Sequence, residues 1–203
     1  MVKPLLLAVF FFSISSLLAQ SNNLVYNGSL EGEGIERPGW VIPKKPVNNH
    51  PNWLDSLHDL WNIKQLPYAG ASFTCFVTRD NGSYERLAQN LSSELLAGKK
   101  YRVSLFLCHS ATMISSSPKS ANKQVSFANP INLQFYVGTK INKSQLIHEF
   151  EYINNTDWAE YSFTYAPPKN QKCFWLASAP SKKVAKKYNG NVLVDMISIV
   201  EIP

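Results

Sequence analysis

Trp53, Trp61 and Tyr68 fall within one irregular stretch, residues 41–70, and Arg79, Tyr84 and Glu85 flank an Asn81-Gly82 pair shortly after it. Flat rings with a polar tip suit wet, half-apolar sites. A sugar ring offers a C–H face to an aromatic plane and hydroxyls to directed polar groups, so this set has the chemistry to hold a polyhydroxylated ligand. Irregular segments on a rigid scaffold are where binding residues concentrate. The same residues admit plainer roles. A long loop needs apolar anchors, and Arg79 with Glu85 makes a cross-strand ion pair beside a turn, a contact of small energetic value at a surface.

Hydrolytic chemistry has less to draw on. Glycoside cleavage needs two carboxylates about 5–10 Å apart, and Glu85, Asp80, Asp55 and Asp59 are the one plausible cluster. There is no Gly-x-Ser-x-Gly elbow and no zinc-protease helix motif. His50, His58, His109 and His148 are scattered over different segments, and such spacing reads as surface or hydrogen-bonded histidine. The reading leans away from an enzyme. Cys75, Cys108 and Cys173 each lie in an apolar run. Three thiols permit one disulfide at most and leave one over; small buried hydrophobes describe all three better. Wide spacing without a paired motif argues against structural zinc.

The net charge is +6, with Lys182, Lys183, Lys186 and Lys187 close together. Such a run reads first as a solvated loop and second as a patch for acidic polymers or anionic headgroups. Nucleic-acid binding would need it joined to base-stacking aromatics in a recognisable module, and none is visible.

The elements that would position these residues are strands. Lys3, the apolar run 5–12 and a small-residue end at Ala19 have the layout of a secretory signal peptide. Residues 1–19 are therefore read as a leader and 20–203 as one domain, exported to the periplasm, cell surface or medium. The apolar run is shorter than the roughly 20 residues of a membrane span, and no later segment is long enough. The remaining chain reads as nine strands: 24–30, 72–78, 84–91, 101–108, 131–137, 146–153, 158–165, 172–177 and 192–202. Asn81-Gly82 between two of them is a strong hairpin signal. Trp158 and Trp175, inside strands, are expected in the core and Trp40 over one end. Residues 109–129 are expected to form a long surface loop, of a length that is usually functional or disordered, and residues 54–60 one helical turn. Many strands with turns between them imply an all-β sandwich or jelly roll, its first and last strands paired.

Ordered motifs sharpen that expectation. Asn23-Leu24-Val25-Tyr26-Asn27-Gly28-Ser29-Leu30-Glu31, followed by Gly39-Trp40, resembles the N-L-V-x-N-G-x-F-E opening of carbohydrate-binding-module-type jelly rolls of galactose-binding-like fold. Gly98-Lys99-Lys100-Tyr101-Arg102-Val103-Ser104, Thr156-Asp157-Trp158-Ala159-Glu160-Tyr161 and the closing strand from Asn191 to Ile199 are similar to later motifs of that family, in the same order. Leu57-His58-Asp59-Leu60-Trp61-Asn62 and Gly82-Ser83-Tyr84-Glu85 resemble segments of uncharacterised extracellular proteins of Bacteroidota. Leu30, His58 and Met196 depart from the patterns, standing where phenylalanine, proline and a second aspartate are usual. The resemblance implies a non-catalytic glycan-binding module, with protein docking or surface assembly as the alternative and a glycoside hydrolase after that. It also implies a structural calcium ion tying the first strand to the last through Glu31 and Asp195, since calcium asks for several hard oxygen ligands.

Overall fold

The computed structural model describes residues 23–32, 37–43, 52–55, 60–117, 119–184 and 186–203. The leader at 1–19, His50, His58 and Asp59 lie outside them. Among the described residues there are thirteen strands: β1 (Trp40–Val41), β2 (Asn52–Asp55), β3 (Ser72–Thr78), β4 (Arg86–Leu95), β5 (Lys100–Cys108), β6 (Ile114–Ser117), β7 (Ser120–Ser126), β8 (Asn129–Pro130), β9 (Asn132–Lys140), β10 (Lys143–Phe150), β11 (Ala159–Tyr165), β12 (Gln171–Ala179) and β13 (Gly190–Ile202). A five-stranded sheet has the order β1-β4-β12-β9-β10, a six-stranded sheet the order β11-β5-β13-β3-β2, and β6 with β7 forms a separate hairpin. The fold is an all-β jelly-roll sandwich.

Strand alternation builds the core. Phe135 and Val137 of β9, Phe174 and Leu176 of β12 and Leu87 of β4 meet Val103, Leu105 and Leu107 of β5 and Val192 and Val194 of β13, all buried. Phe135 stacks on Phe174 at 5.2 Å, and Trp40 meets Phe174 edge-on at 5.6 Å. Each pleated strand shows one face to this layer and the other away from it.

The outward face of the six-stranded sheet is covered as well. Phe73, Cys75, Val77, Cys108 and Leu193 form a second buried cluster with Leu54, Ile63, Met113 and Phe127. Asn191 holds part of that cover down: its side-chain amide donates to the Ser110 and Phe127 carbonyls, and its oxygen accepts from the Ser110 N–H. Residues 109–129 are thus not the plain loop expected from their polarity. They contain β6 and β7, anchored by Met113 and Phe127. Residues 54 and 55 belong to β2, residues 56–59 of the expected helical turn lie outside the described residues, and a 3-10 turn follows at Leu60–Asn62, with Trp61 and Asn62 at positive φ.

Residues 24–30 are turns rather than the first strand, yet they bind the last strand. The Leu24 N–H donates to the Ile199 carbonyl at 2.9 Å, and the Ile197 N–H donates to the Gly28 carbonyl at 2.7 Å. The Asn23 side chain accepts from the Ile199 N–H and donates to the Ile197 carbonyl. Glycine is required for this approach, because a Cβ at position 28 would press into the Ile197 carbonyl. Replacing Gly28 by alanine is expected to destabilise the protein by about 1–3 kcal/mol, the usual range for forcing a methyl group into a filled space. The midpoint of urea unfolding measures it.

Candidate functional site

In β12 the inward turn of Phe174 and Leu176 sends Cys173, Trp175 and Ala177 to the opposite face. The register carries that face across the sheet. Trp175 lies opposite Ala88 of β4 and Tyr136 of β9, Ala88 opposite Val41 of β1, and Tyr136 opposite Leu146 of β10. Val41, Ala88, Trp175, Tyr136 and Leu146 therefore form one apolar row across all five strands, spanning four gaps of about 4.8 Å. A polar row beside it holds Arg86, Ala177, Gln134 and Glu149.

The Tyr136 and Trp175 rings stack at 3.9 Å and 17°, and the Arg86 guanidinium lies 4.7 Å from the Trp175 ring centre. The Trp175 indole N–H donates to the Ser144 hydroxyl. Trp175 is a backing wall, only 8% exposed, while Tyr136 and Tyr84 pack against it and are half-buried. The Tyr136 hydroxyl donates to Gln134 at 2.8 Å, and the Gln134 and Asn132 amides both donate to Glu149 Oε1. Lys182 Nζ is 3.9 Å from Glu149 Oε2. Burial raises the Tyr136 hydroxyl above its ordinary pKa, with Tyr84 and Glu149 adding to the effect and Arg86 opposing it.

At the β1 side the face continues into an open groove of about 700 Å³. Arg86, Asn90, Lys172, Lys140, Val41 and Ile42 are among its lining. Aromatic planes and a guanidinium on the sheet face, with amide groups in the groove beside it, can hold a flat, hydroxylated ligand by ring packing and directed hydrogen bonds.

The residues singled out in the sequence are divided among other surroundings. Trp53 packs half-buried against the main core with Arg37 5.3 Å from its ring centre. Trp61 packs half-buried against the second cluster. Tyr68 is 46% exposed, stacked on Phe106 at 3.6 Å. Tyr84 alone of the six packs on the Trp175 face. Arg79 and Glu85 do pair, at 2.6 Å, but Glu85 is 1% exposed, so the contact is buried rather than superficial. The second Glu85 oxygen accepts from the Val77 N–H at 2.9 Å. Burial pushes Glu85 up to about 7 against the opposing pull of Arg79.

Both Glu85 oxygens are thus engaged, and Asp80 pairs with Lys119 at 2.9 Å. Asp55 lies on β2. His109 is nearly buried with its ring against the Asn155 carbonyl, and His148 stacks on Phe163, where burial lowers its pKa. The three cysteines are free and buried, and burial raises all three thiols. Trp158, expected in the core, is half-buried just before β11, its indole donating to the Leu66 carbonyl at 2.8 Å. Trp175, also expected inside, is buried on the outer face instead. The feature that could have located it is the alternation of β9, which puts Tyr136 on the same side as Gln134 and Asn132.

Glu31 and Asp195 flank one turn. Asp195 accepts from the Tyr68, Ala69 and Met196 N–H groups, and Glu31 Oε1 accepts from those of Ala71 and Ser72. Burial pushes Asp195 up to about 6, the Glu31 charge adding to the rise. Among the described residues, no three His, Cys, Asp or Glu side chains form a group that could hold a metal.

No family model and no curated protein matches this chain. Solved structures do resemble it. Over 89% of its length it is similar to an arabinose-bound α-L-arabinofuranosidase, MgGH51, at 13% identity and a TM-score of 0.54. Over the same share it is similar to the enzymatically active domain of tailspike protein 4 of bacteriophage CBA120, at 12% identity and a TM-score of 0.53. The chain spans 26% and 21% of those two proteins, about a quarter or less. It spans 95% of the CBM22-1 xylan-binding domain of Paenibacillus barcinonensis Xyn10C, at 14% identity and a TM-score of 0.51. At such identities the likeness is one of fold.

Glu85 and Asp195 hold their protons more tightly in the fold than in the unfolded chain. Their contribution to stability is therefore greatest below about pH 4 and is lost as pH rises through 6 to 7. For Glu85 the full swing is roughly 3 kcal/mol. Melting temperature against pH is expected to decline over this window in the wild type and to decline less in Glu85→Gln.

Proposed function

We propose that this protein is an exported, non-catalytic module that binds a glycan across the outer face of its five-stranded sheet. The observation that carries the reading is the five-strand row centred on the Trp175–Tyr136 stack, with Arg86 fixed against it and an amide–carboxylate row alongside. The similar xylan-binding domain, which this chain spans almost end to end, supports it. The engagement of Glu85 by Arg79 and Val77 and of Asp80 by Lys119 supports binding over hydrolysis.

The Tyr68 loop offers a second reading. Leu66 is 67% exposed beside the Tyr68–Phe106 stack and Trp158, an apolar patch of the kind that docks a protein partner. Isothermal titration or a glycan array separates the two. Tyr136→Ala is expected to weaken glycan binding by about tenfold or more, and Tyr68→Ala to leave it unchanged. Loss with Tyr68→Ala and not with Tyr136→Ala would move the ligand to the loop that carries Tyr68.

Calcium at Glu31 and Asp195 is a separate proposal. Two neighbouring carboxylates, one of them fully buried, carry a charge cost that a divalent cation relieves. The five amide N–H donors around them relieve part of the same cost. Calcium is expected to raise the melting temperature by several degrees and a chelator to reverse the rise; equal melting in both removes the ion.

A further inference from the structure

Building on the glycan-face reading, we infer that the ligand is an acidic polysaccharide, whose carboxylate or sulfate groups are met in the groove by Arg86, Lys172 and Lys140.

Among the described residues the groove is lined by three cations against one carboxylate, Glu94. Each cation is placed by the fold. Arg86 opens β4 opposite Ala177, and its guanidinium is held over Trp175. A guanidinium is planar, with a geometry that matches a carboxylate or sulfate. Lys172 lies at the register shift between Gln171 and Cys173, 61% exposed, and pairs with Glu94 at 2.9 Å.

Lys140 is the most informative. It ends β9 directly opposite Lys143, the first residue of β10, and both are exposed. Like charges directly opposite each other across a strand pair are destabilising, and an anion lying against this corner removes the repulsion. Val41 and Ile42, 44% and 41% exposed, offer apolar surface on the β1 wall, and Asn90 offers an amide. The polar row carries a second acid, Glu149, but it is bound by Asn132 and Gln134 and faces Lys182.

Polygalacturonate, carrageenan and neutral xylan serve as probes, titrated at low and high salt. Polygalacturonate or carrageenan is expected to bind at least about tenfold tighter than xylan at low salt, with the advantage shrinking as salt screens exposed charge. The first two polymers separate carboxylate from sulfate recognition. Because the whole chain is basic, two charge-matched variants decide whether the groove is responsible. Lys140→Gln/Lys172→Gln is expected to lose most of the preference, while Lys186→Gln/Lys187→Gln, outside the groove lining, keeps it; matched melting temperatures check folding. Equal losses in both variants, or xylan binding as tightly as the acidic polymers, would overturn the inference while leaving the glycan face in place. No binding to any of the three polymers counts against both.

Discussion

Phe174 and Leu176 are driven inward because burying large apolar side chains is the dominant gain in folding, and the pleat of β12 then turns Trp175 the other way. The same constraint acts on β9, where Phe135 and Val137 go in and Tyr136 comes out, and on β4, where Leu87 goes in and Arg86 and Ala88 come out. Antiparallel register brings these outward residues level with one another. The aromatic row is thus a by-product of core formation, and moving any one of its strands by a single residue would reverse every side chain on it. A binding surface made in this way is rigid before a ligand arrives, which limits the entropy lost on association.

The sandwich is not symmetric. The six-stranded sheet has a second apolar layer on its outside, where Met113 and Phe127 from the hairpin segment and Ile63 from the neighbouring turn close over Phe73, Cys75 and Val77. The five-stranded sheet keeps its outer face for Tyr136, Gln134 and the groove beyond Arg86. Among the described residues, the irregular segments around Ile63, Met113 and Phe127 therefore serve as structural cover, and a regular sheet carries the candidate site. Tyr68 fits this division, since its backbone N–H holds Asp195 while its ring lies on Phe106.

β13 joins the first described segment to the end of the sandwich. It pairs with β5 and β3 inside its sheet, and from the irregularity between Asp195 and Ser198 onward it receives Asn23, Leu24 and Gly28. Buried acids recur at such joints: Asp195 takes amide hydrogens from the turn at 68–69, and Glu85 ties Arg79 to Val77 beside the hairpin. Satisfying them with fixed partners costs less than leaving them bare, but each raised pKa leaves stability dependent on pH.

The all-β class, most strand positions and the link between the two ends were legible in the sequence, because period-two alternation and turn residues act locally. The buried cysteines were legible for the same reason. The ends met as expected, although the opening motif at 24–30 docks as turns around Gly28 rather than as a strand. Residues 109–129 read as a plain loop in the sequence because their serines and lysines mask the two anchors, Met113 and Phe127. The aromatic site was less legible still. Trp53, Trp61 and Tyr68 are close in sequence but pack in different surroundings. Trp175, Tyr136 and Arg86 are up to about 90 positions apart and become neighbours through the pairing of β4, β12 and β9. Local pattern determined which residues form strands. Which residues share a face, and which face stays open, was decided by long-range register and by the covering of one sheet, and neither is written in any short stretch of the chain.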